Sequence, residues 1–395
     1  MKQATRRLLG LGAVLGISSL LSAQAAQPTL KIGVNGVMSG PAASWGLVNK
    51  YSAETTAAMI NAQGGWDIGG VKYKIEIVSL DDKNDPKISV TNAEKLTSMG
   101  IRYLIGPNVD TTAAAIVPVM EKTKSINFPY AFSKSLYLPP RGNSVLGMIA
   151  SYQAGPVIYK YLKEKKGVKN VAFLARNEAD PLNQRTEGLD AARALGLVVV
   201  SSDATYEPGT TDFSSVLSSV LPKTPDLLIL SGVAPADAPL LIKTAREMGY
   251  KGLFSTETAQ DAKVLKEIAG AAADGFISVG GASTASIRSP YMDAFIKAYT
   301  SRVGEWNDEA GTKVYALEII LRTLQKAGPK AITNTSLFKK AMVSFKMANP
   351  FVNTAQDLKF VGSAYFKQPR QVGVPMVVNE FRAGDFKTLF VGGVE

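Results

Sequence analysis

From residue 30 to residue 280, short β-branched and apolar runs alternate with longer amphipathic runs, and few folds accommodate that rhythm. Residues 30–34, 73–80, 101–105 and 126–130 read as strands, with helices predicted over about 46–63, 86–99 and 111–123. In the first of these helices, Leu47, Tyr51, Thr55, Ala58 and Ala62 share one face, flanked by Val48 and Met59. Gly64-Gly65 supplies its stop signal. The rhythm restarts after about residue 147, with strands at 170–175, 197–201, 226–231, 252–255 and 276–280. The helices of this second series fall at about 150–165, 183–195, 212–220, 236–248 and 261–269. Strand–helix alternation of this kind specifies parallel sheets covered on both faces. Two such series in tandem specify an α/β chain of two doubly wound, Rossmann-like lobes.

After Gly280-Gly281 two helices, about 290–303 and 309–326, follow without an intervening strand. A third near 335–346 precedes a strand-rich tail with runs at 360–365 and 374–378. The expected organisation is a first lobe of residues 27–147 plus 282–350 and a second lobe of residues 148–281 plus 351–395. Repeated crossings between the lobes make a hinge of several strands.

Residues 1–26 read as a signal peptide. Lys2, Arg6 and Arg7 are followed by an apolar stretch to Leu21 and by Ala23-Gln24-Ala25, a small-residue cleavage pattern near Ala25/Ala26. The Arg6-Arg7 pair leaves both the general and the twin-arginine export routes open. With no Cys anywhere, the exported chain has neither a disulfide nor a lipid-attachable thiol, so a free periplasmic protein is expected, freely secreted protein being the alternative. The formal charge is +11, and the first 26 residues hold three basic residues and no acid, leaving +8. That excess suits solubility or anionic ligands. The basic residues are scattered, so a nucleic-acid partner is not expected.

The composition also narrows the chemistry. The chain has no His, which removes the commonest general base, and without Cys or His the common zinc sites are gone as well. No Ser-x-x-Lys or Gly-x-Ser-x-Gly motif stands in a strand–helix context, so no enzyme is expected, and no cofactor. Gly10, Gly12 and Gly16 approximate a glycine fingerprint inside the signal segment, and the Asp81–Asp85 run lacks the Gly and Glu of a calcium loop.

Several ordered segments carry a family resemblance. Lys31-Ile32-Gly33-Val34 runs into Val37-Met38-Ser39-Gly40-Pro41 and Trp45-Gly46. Ile60-Asn61-Ala62-Gln63-Gly64-Gly65, Asp81-Asp82 with Asp85-Pro86, Ile105-Gly106-Pro107 and Gly209-Thr210-Thr211-Asp212-Phe213 follow in order. Over about residues 31–330 the chain resembles the periplasmic Leu/Ile/Val-binding proteins of branched-chain amino acid uptake systems. The resemblance implies a type I periplasmic binding protein fold and capture of a small solute between the lobes. It implies delivery to an ABC transporter permease in the inner membrane, by a protein expected to be a monomer. A periplasmic sensor or co-receptor is the alternative role.

Ligands of open α/β sheets sit outside the carboxyl ends of the strands, where loops and helix N-termini offer free N–H groups. On the resemblance, Trp45 offers the ligand an aromatic wall, or else packs into its own lobe. Asp110, with Thr111 and Thr112 beside it, stands where relatives place a hydroxyl for the ligand carboxylate; its other reading is a helix cap. Tyr130, Ala131, Phe132 and Ser133 replace a small-residue loop and reshape the pocket toward a flat ligand, or fill a gap. Arg176 and Arg185 are candidate partners for an anionic ligand, or solvated surface residues. Val233 occupies the position of a family Tyr. Glu257 resembles an acid that takes a ligand ammonium, the alternative being a solvent-facing loop acid. The expected ligand is a branched-chain or hydrophobic amino acid, a related amide, or an aromatic acid.

Overall fold

The computed structural model describes residues 26–393, and the expected signal peptide lies outside them except for Ala26. Among the described residues no helix is long and apolar enough to cross a membrane. The first sheet is built from β1 (Thr29–Gly36), β2 (Trp66–Ile68), β3 (Val71–Asp81), β4 (Tyr103–Ile105) and β5 (Ile126–Phe128), in the order β2-β3-β1-β4-β5. All pairs are parallel except the β2–β3 hairpin, which the periodicity did not show. Gly69 and Gly70 both take positive φ there, +66° and +86°, which a two-residue hairpin turn requires. Helices α1 (Ala43–Ala62), α2 (Pro86–Ser98) and α3 (Asp110–Thr123) connect these strands. Asp85 caps α2 by accepting from the Lys87 and Ile88 backbone, with Pro86 at the first helical position.

The buried side of α1 is broader than one face. Val48, Ser52, Ala53, Thr55, Thr56, Ala57 and Ile60 are buried, Leu47, Tyr51 and Met59 half-buried, and Ala58 and Ala62 exposed. The helix packs on the sheet and also beneath helices that arrive much later in the chain, so a single apolar stripe does not describe it.

The second sheet contains β6 (Asn170–Arg176), β7 (Val198–Tyr206), β8 (Leu227–Ser231), β9 (Leu253–Ala259) and β10 (Ile277–Gly280). The connecting helices are α4 (Ser151–Lys166), α5 (Ala179–Ala194), α6 (Ser214–Val220), α7 (Asp237–Glu247) and α8 (Ala262–Ile268). Next come α9 (Pro290–Val303), α10 (Tyr315–Ala327) and α11 (Thr335–Val343); α9 and α10 pack against α1. The helix expected from residue 309 is interrupted: Asp308–Thr312 forms a 3-10 turn before α10 begins.

A small sheet of β11 (Lys346–Ala348), β12 (Asp357–Val361) and β13 (Gln371–Val372) follows. The strand expected at 360–365 ends at Val361, because Gly362 (φ +96°) turns the chain into the short helix α12 (Ser363–Phe366). Finally β14 (Met376–Arg382) and β15 (Asp385–Gly392) form a hairpin that joins the second sheet antiparallel to β10. The order of that sheet is β15-β14-β10-β9-β8-β6-β7.

The strands β6 and β8 are almost wholly buried apolar runs, as parallel strands covered on both faces should be. Each lobe has one switch point, between β1 and β4 in the first and between β6 and β8 in the second. Leu146 pairs in parallel with Gln371 and Arg288 bridges Val352, so segments far apart in sequence hold one another. At one crossing a Cβ on Gly281 would lie 2.3 Å from the Gly311 carbonyl carbon, an approach only glycine permits.

Candidate functional site

The loops leaving both switch points face each other around a cavity enclosing about 400 Å³ of space free of protein atoms, part of it continuous with solvent. A site at the carboxyl ends of the strands is what doubly wound sheets provide. From the first lobe come Trp45, Asn108, Tyr130 and Phe132, with Met148 from the crossing segment. The second lobe contributes Asp180 and Gln184 from the start of α5 and Thr258 and Ala259 from the end of β9. Glu309 and Lys313 enter from the segment before α10.

Trp45 sits at the start of α1, and its neighbour Gly46 is there for a steric reason. A Cβ on Gly46 would lie 1.9 Å from the Val37 carbonyl oxygen, so the β1–α1 loop closes tightly and fixes the indole. The Asn108 side chain donates to the Trp45 carbonyl at 3.0 Å, tying the β1 and β4 loops together. The Arg176 guanidinium of the opposite lobe lies 5.2 Å from the Trp45 ring centroid, a cation–π contact across the cleft. Tyr130 is buried with the Lys313 ammonium 4.3 Å from its ring centroid, and burial pushes its hydroxyl pKa well up.

Asp110 is buried and organises the first lobe's loops. One oxygen accepts from the Phe132 and Ser133 backbone N–H groups at 2.7 and 2.9 Å. The other accepts from the Asn183 side chain of α5 at 3.2 Å, a bond between the lobes. The charge expected to meet or repel a ligand is thus held by three donors, and those bonds position Phe132 on the cavity wall. Residue 110 is the first residue of α3, with Val109 in the capping position, so Asp110 is not the helix cap.

Other sequence candidates fall elsewhere. Thr111 is exposed, and Ala131 is fully buried with its carbonyl accepting from the Tyr137 hydroxyl. Ser133 pairs its hydroxyl with Ser135 at 2.9 Å. Arg185 reaches away from the cleft to the Ala204 carbonyl on the edge strand β7, 3.2 Å away. Arg176 is almost fully buried, paired with Glu178 and 3.8 Å from Asp237, so its charge is already matched by two carboxylates. The Val233 side chain belongs to the second lobe's core, and only its carbonyl approaches the site, accepting from Thr258 and Gln260.

Glu257 lies outside the cavity, against Tyr159. Successive side chains of β9 alternate between faces. Thr256 and Thr258 share one face, their hydroxyls 3.0 Å apart, and Thr258 reaches the cavity. Glu257 therefore points to the opposite face, where it accepts a hydrogen bond from Tyr159 of α4. Burial raises its carboxyl to about 7, against the opposing effect of that bond. It is neither a solvent-facing acid nor part of the cavity lining.

The residues that sequence reasoning missed carry most of the charge. Burial and the nearby Asp110 carboxylate push the Asp180 carboxyl well up. Burial likewise raises Glu309 and lowers Lys313, and each opposes the other's shift. Asp180 and Gln184 are spaced i, i+4 at the opening of a helix, a weak signal that was available. Glu309 and Lys313 lie in a segment that reads as ordinary helix.

Residues 29–373 match the periplasmic binding protein family. The Leu/Ile/Val-binding protein of Escherichia coli is 28% identical over 317 residues, covering 78% of this chain and 82% of that protein. The leucine-, isoleucine-, valine-, threonine- and alanine-binding protein of Pseudomonas aeruginosa is 25% identical over 338 residues, covering 83% and 86%. Among solved structures, the substrate-binding protein LivJ of the Streptococcus pneumoniae branched-chain amino acid transporter, in complex with isoleucine, superposes with a TM-score of 0.78. That likeness, at 20% identity, covers 93% of this chain and all of the other, and shows a shared fold. With two doubly wound lobes around a cavity and a family match over most of its length, this chain belongs to the periplasmic binding proteins.

Proposed function

We propose that this chain is the substrate-binding component of an ABC uptake transporter. It captures a small organic solute between its lobes and presents it to an inner-membrane permease. The solute is a branched-chain or hydrophobic amino acid, a related amide, or an aromatic acid. The observation that carries this reading is the cavity itself: Trp45, Tyr130 and Phe132 form apolar walls, and buried charged groups from both lobes converge on it. The protein works in the periplasm as a monomer. Its first lobe comprises residues 27–147 plus 282–350, and residues 148–281 plus 351–395 form the second.

Binding follows an open–closed equilibrium about the crossing segments. A solute touching both lobes is complete in its contacts only when they are closed, so it draws the population to that form. A thermal-shift screen of the purified mature protein against amino acids, amides, urea and aromatic acids tests the proposal. A solute at 100 times its dissociation constant adds about 2.7 kcal/mol of stability. Absence of any stabilising solute, or turnover of one, contradicts it.

A further inference from the structure

The cavity is unbalanced in hydrogen-bonding capacity. Asp180 Oδ1, Gln184 Oε1, Glu309 Oε2 and Asn108 Oδ1 are buried oxygens with no partner among the described residues, and all four residues line the cavity. Two of these amide oxygens are identified by what their NH₂ groups do. Gln184 Nε2 donates to Asp180 Oδ2 at 3.2 Å, and Asn108 Nδ2 donates to the Trp45 carbonyl. Against four acceptors stands one ammonium, Lys313, which lies over the Tyr130 ring and whose hydrogen-bond partner among the described residues is the Met148 sulfur at 3.3 Å. Buried polar atoms in proteins are nearly always satisfied, so a cluster of bare acceptors at a cavity calls for donors from an occupant.

Charge points the same way. Asp110, Asp180 and Glu309 lie in or beside the cavity; Arg176 is already held by Glu178 and Asp237, and Lys313, the one ammonium among the lining residues, has only Glu309 acting on it, so the acids outnumber the available cations. Phe132 adds an aromatic face on the cavity wall that favours a cation, whereas Trp45 and Tyr130 already hold Arg176 and Lys313 against theirs. We propose that the cavity is built for a solute bearing a protonated amine, seated between Asp180 of the second lobe and Glu309 of the crossing segment. Lys313 meets the solute's carboxylate where it has one. This inference rests on the solute-binding reading and narrows it, excluding acids that lack an amine. Because Asp180 and Glu309 come from separate parts of the site, the amine engages both only when the lobes are closed.

Two sets of matched probes test it by calorimetry and thermal shift: phenylalanine, phenethylamine and 3-phenylpropanoate, then leucine, isopentylamine and 4-methylpentanoate. Amine-bearing members of at least one set are expected to bind, and both acids lacking an amine to fail. D180N and E309Q are expected to weaken binding at least about 30-fold, the lower range for removing one partner of a buried charge pair. The ligand-free melting temperature of D180N should match or exceed wild type, because the change removes a carboxylate that burial and Asp110 both disfavour; a purely structural carboxylate would lower it. K313M should weaken the zwitterion and spare the plain amine. Tighter binding of the amine-free acids, or unchanged affinity in D180N and E309Q, overturns the inference. Stabilisation by some other solute, with every amine-bearing compound silent, overturns it while leaving the solute-binding reading intact; silence from the whole panel overturns both.

Discussion

Two polar contacts join the lobes on the α3–α5 side of the cleft, and their removal should open the protein by a measurable factor. Asn183 on α5 donates to the Asp110 carboxylate at 3.2 Å, and Lys134 lies 3.1 Å from Glu187 of the same helix. A hydrogen bond to a charged group contributes about 1.5–3 kcal/mol when buried, but Asn183 is exposed, so about 1 kcal/mol is appropriate. The Lys134–Glu187 pair is 41% and 27% exposed, which limits it to roughly 0.5–1 kcal/mol. Both contacts exist only when the lobes meet. Their combined loss in N183A/K134A therefore shifts the open-to-closed ratio by roughly 10–30-fold. The native sequence has no Cys, so cysteines placed at the exposed Lys95 and Lys243, one per lobe, report the lobe separation by single-molecule energy transfer without background labelling. The double variant should transfer population from the high-efficiency to the low-efficiency state, while K160A, an exposed change on α4 whose ion-pair partner Glu164 lies on the same helix, should not. Indistinguishable distributions for wild type and N183A/K134A would refute the closure argument.

Further outcomes follow from single sites. Gly46→Ala, normally favourable inside a helix, should here destabilise by roughly 2–4 kcal/mol in urea unfolding, because its Cβ would sit 1.9 Å from the Val37 carbonyl. Trp45→Ala removes a half-exposed wall of the cavity; it should cost about 2 kcal/mol of binding, near 30-fold in Kd by calorimetry, with little change in unfolding midpoint. Glu257 has a folded pKa raised to about 7 from an ordinary value of 4.5, so its ionisation burdens the folded state more than the unfolded one. That destabilisation is absent below about pH 4.5, grows as the pH rises, and is complete above about pH 7. Glu257→Gln keeps an acceptor for Tyr159, so it should gain on the order of 1–3 kcal/mol over wild type at pH 8. The difference should vanish near pH 4 in chemical denaturation.

The doubly wound character of both lobes was legible because fully buried parallel strands such as β6 and β8 read as continuous apolar runs. What escaped was set by partners distant in sequence. The buried surface of α1 is widened by α9 and α10, which arrive some 240 residues later, so periodicity alone marked only part of it. The hairpins ending in β3 and β15 are set by two-residue turns with positive φ, at Gly69-Gly70 and Ala383-Gly384, whose flanking strands lack the expected length or alternation. The aromatic residues Trp45, Tyr130 and Phe132, which line the cavity, stood out through the family resemblance and their place in loops after strands, each with packing as its other reading. A shift of one residue along β9 exchanges Thr258 for Glu257, which is how a matching acid came to face the wrong way. Glu309 and Lys313 left no local trace: their meaning comes from where a crossing segment lands, and no short motif encodes that.

The central claim is that the lobes hold one small solute between them and release it unchanged. Equilibrium dialysis of the purified mature protein against a solute identified by the thermal screen, followed by denaturation and mass spectrometry, measures this directly. The expected result is one molecule per chain, recovered chemically intact and lost when Trp45 is replaced by Ala together with Asp180 by Asn. Recovery of a converted product, or retention that those substitutions leave untouched, would contradict the claim.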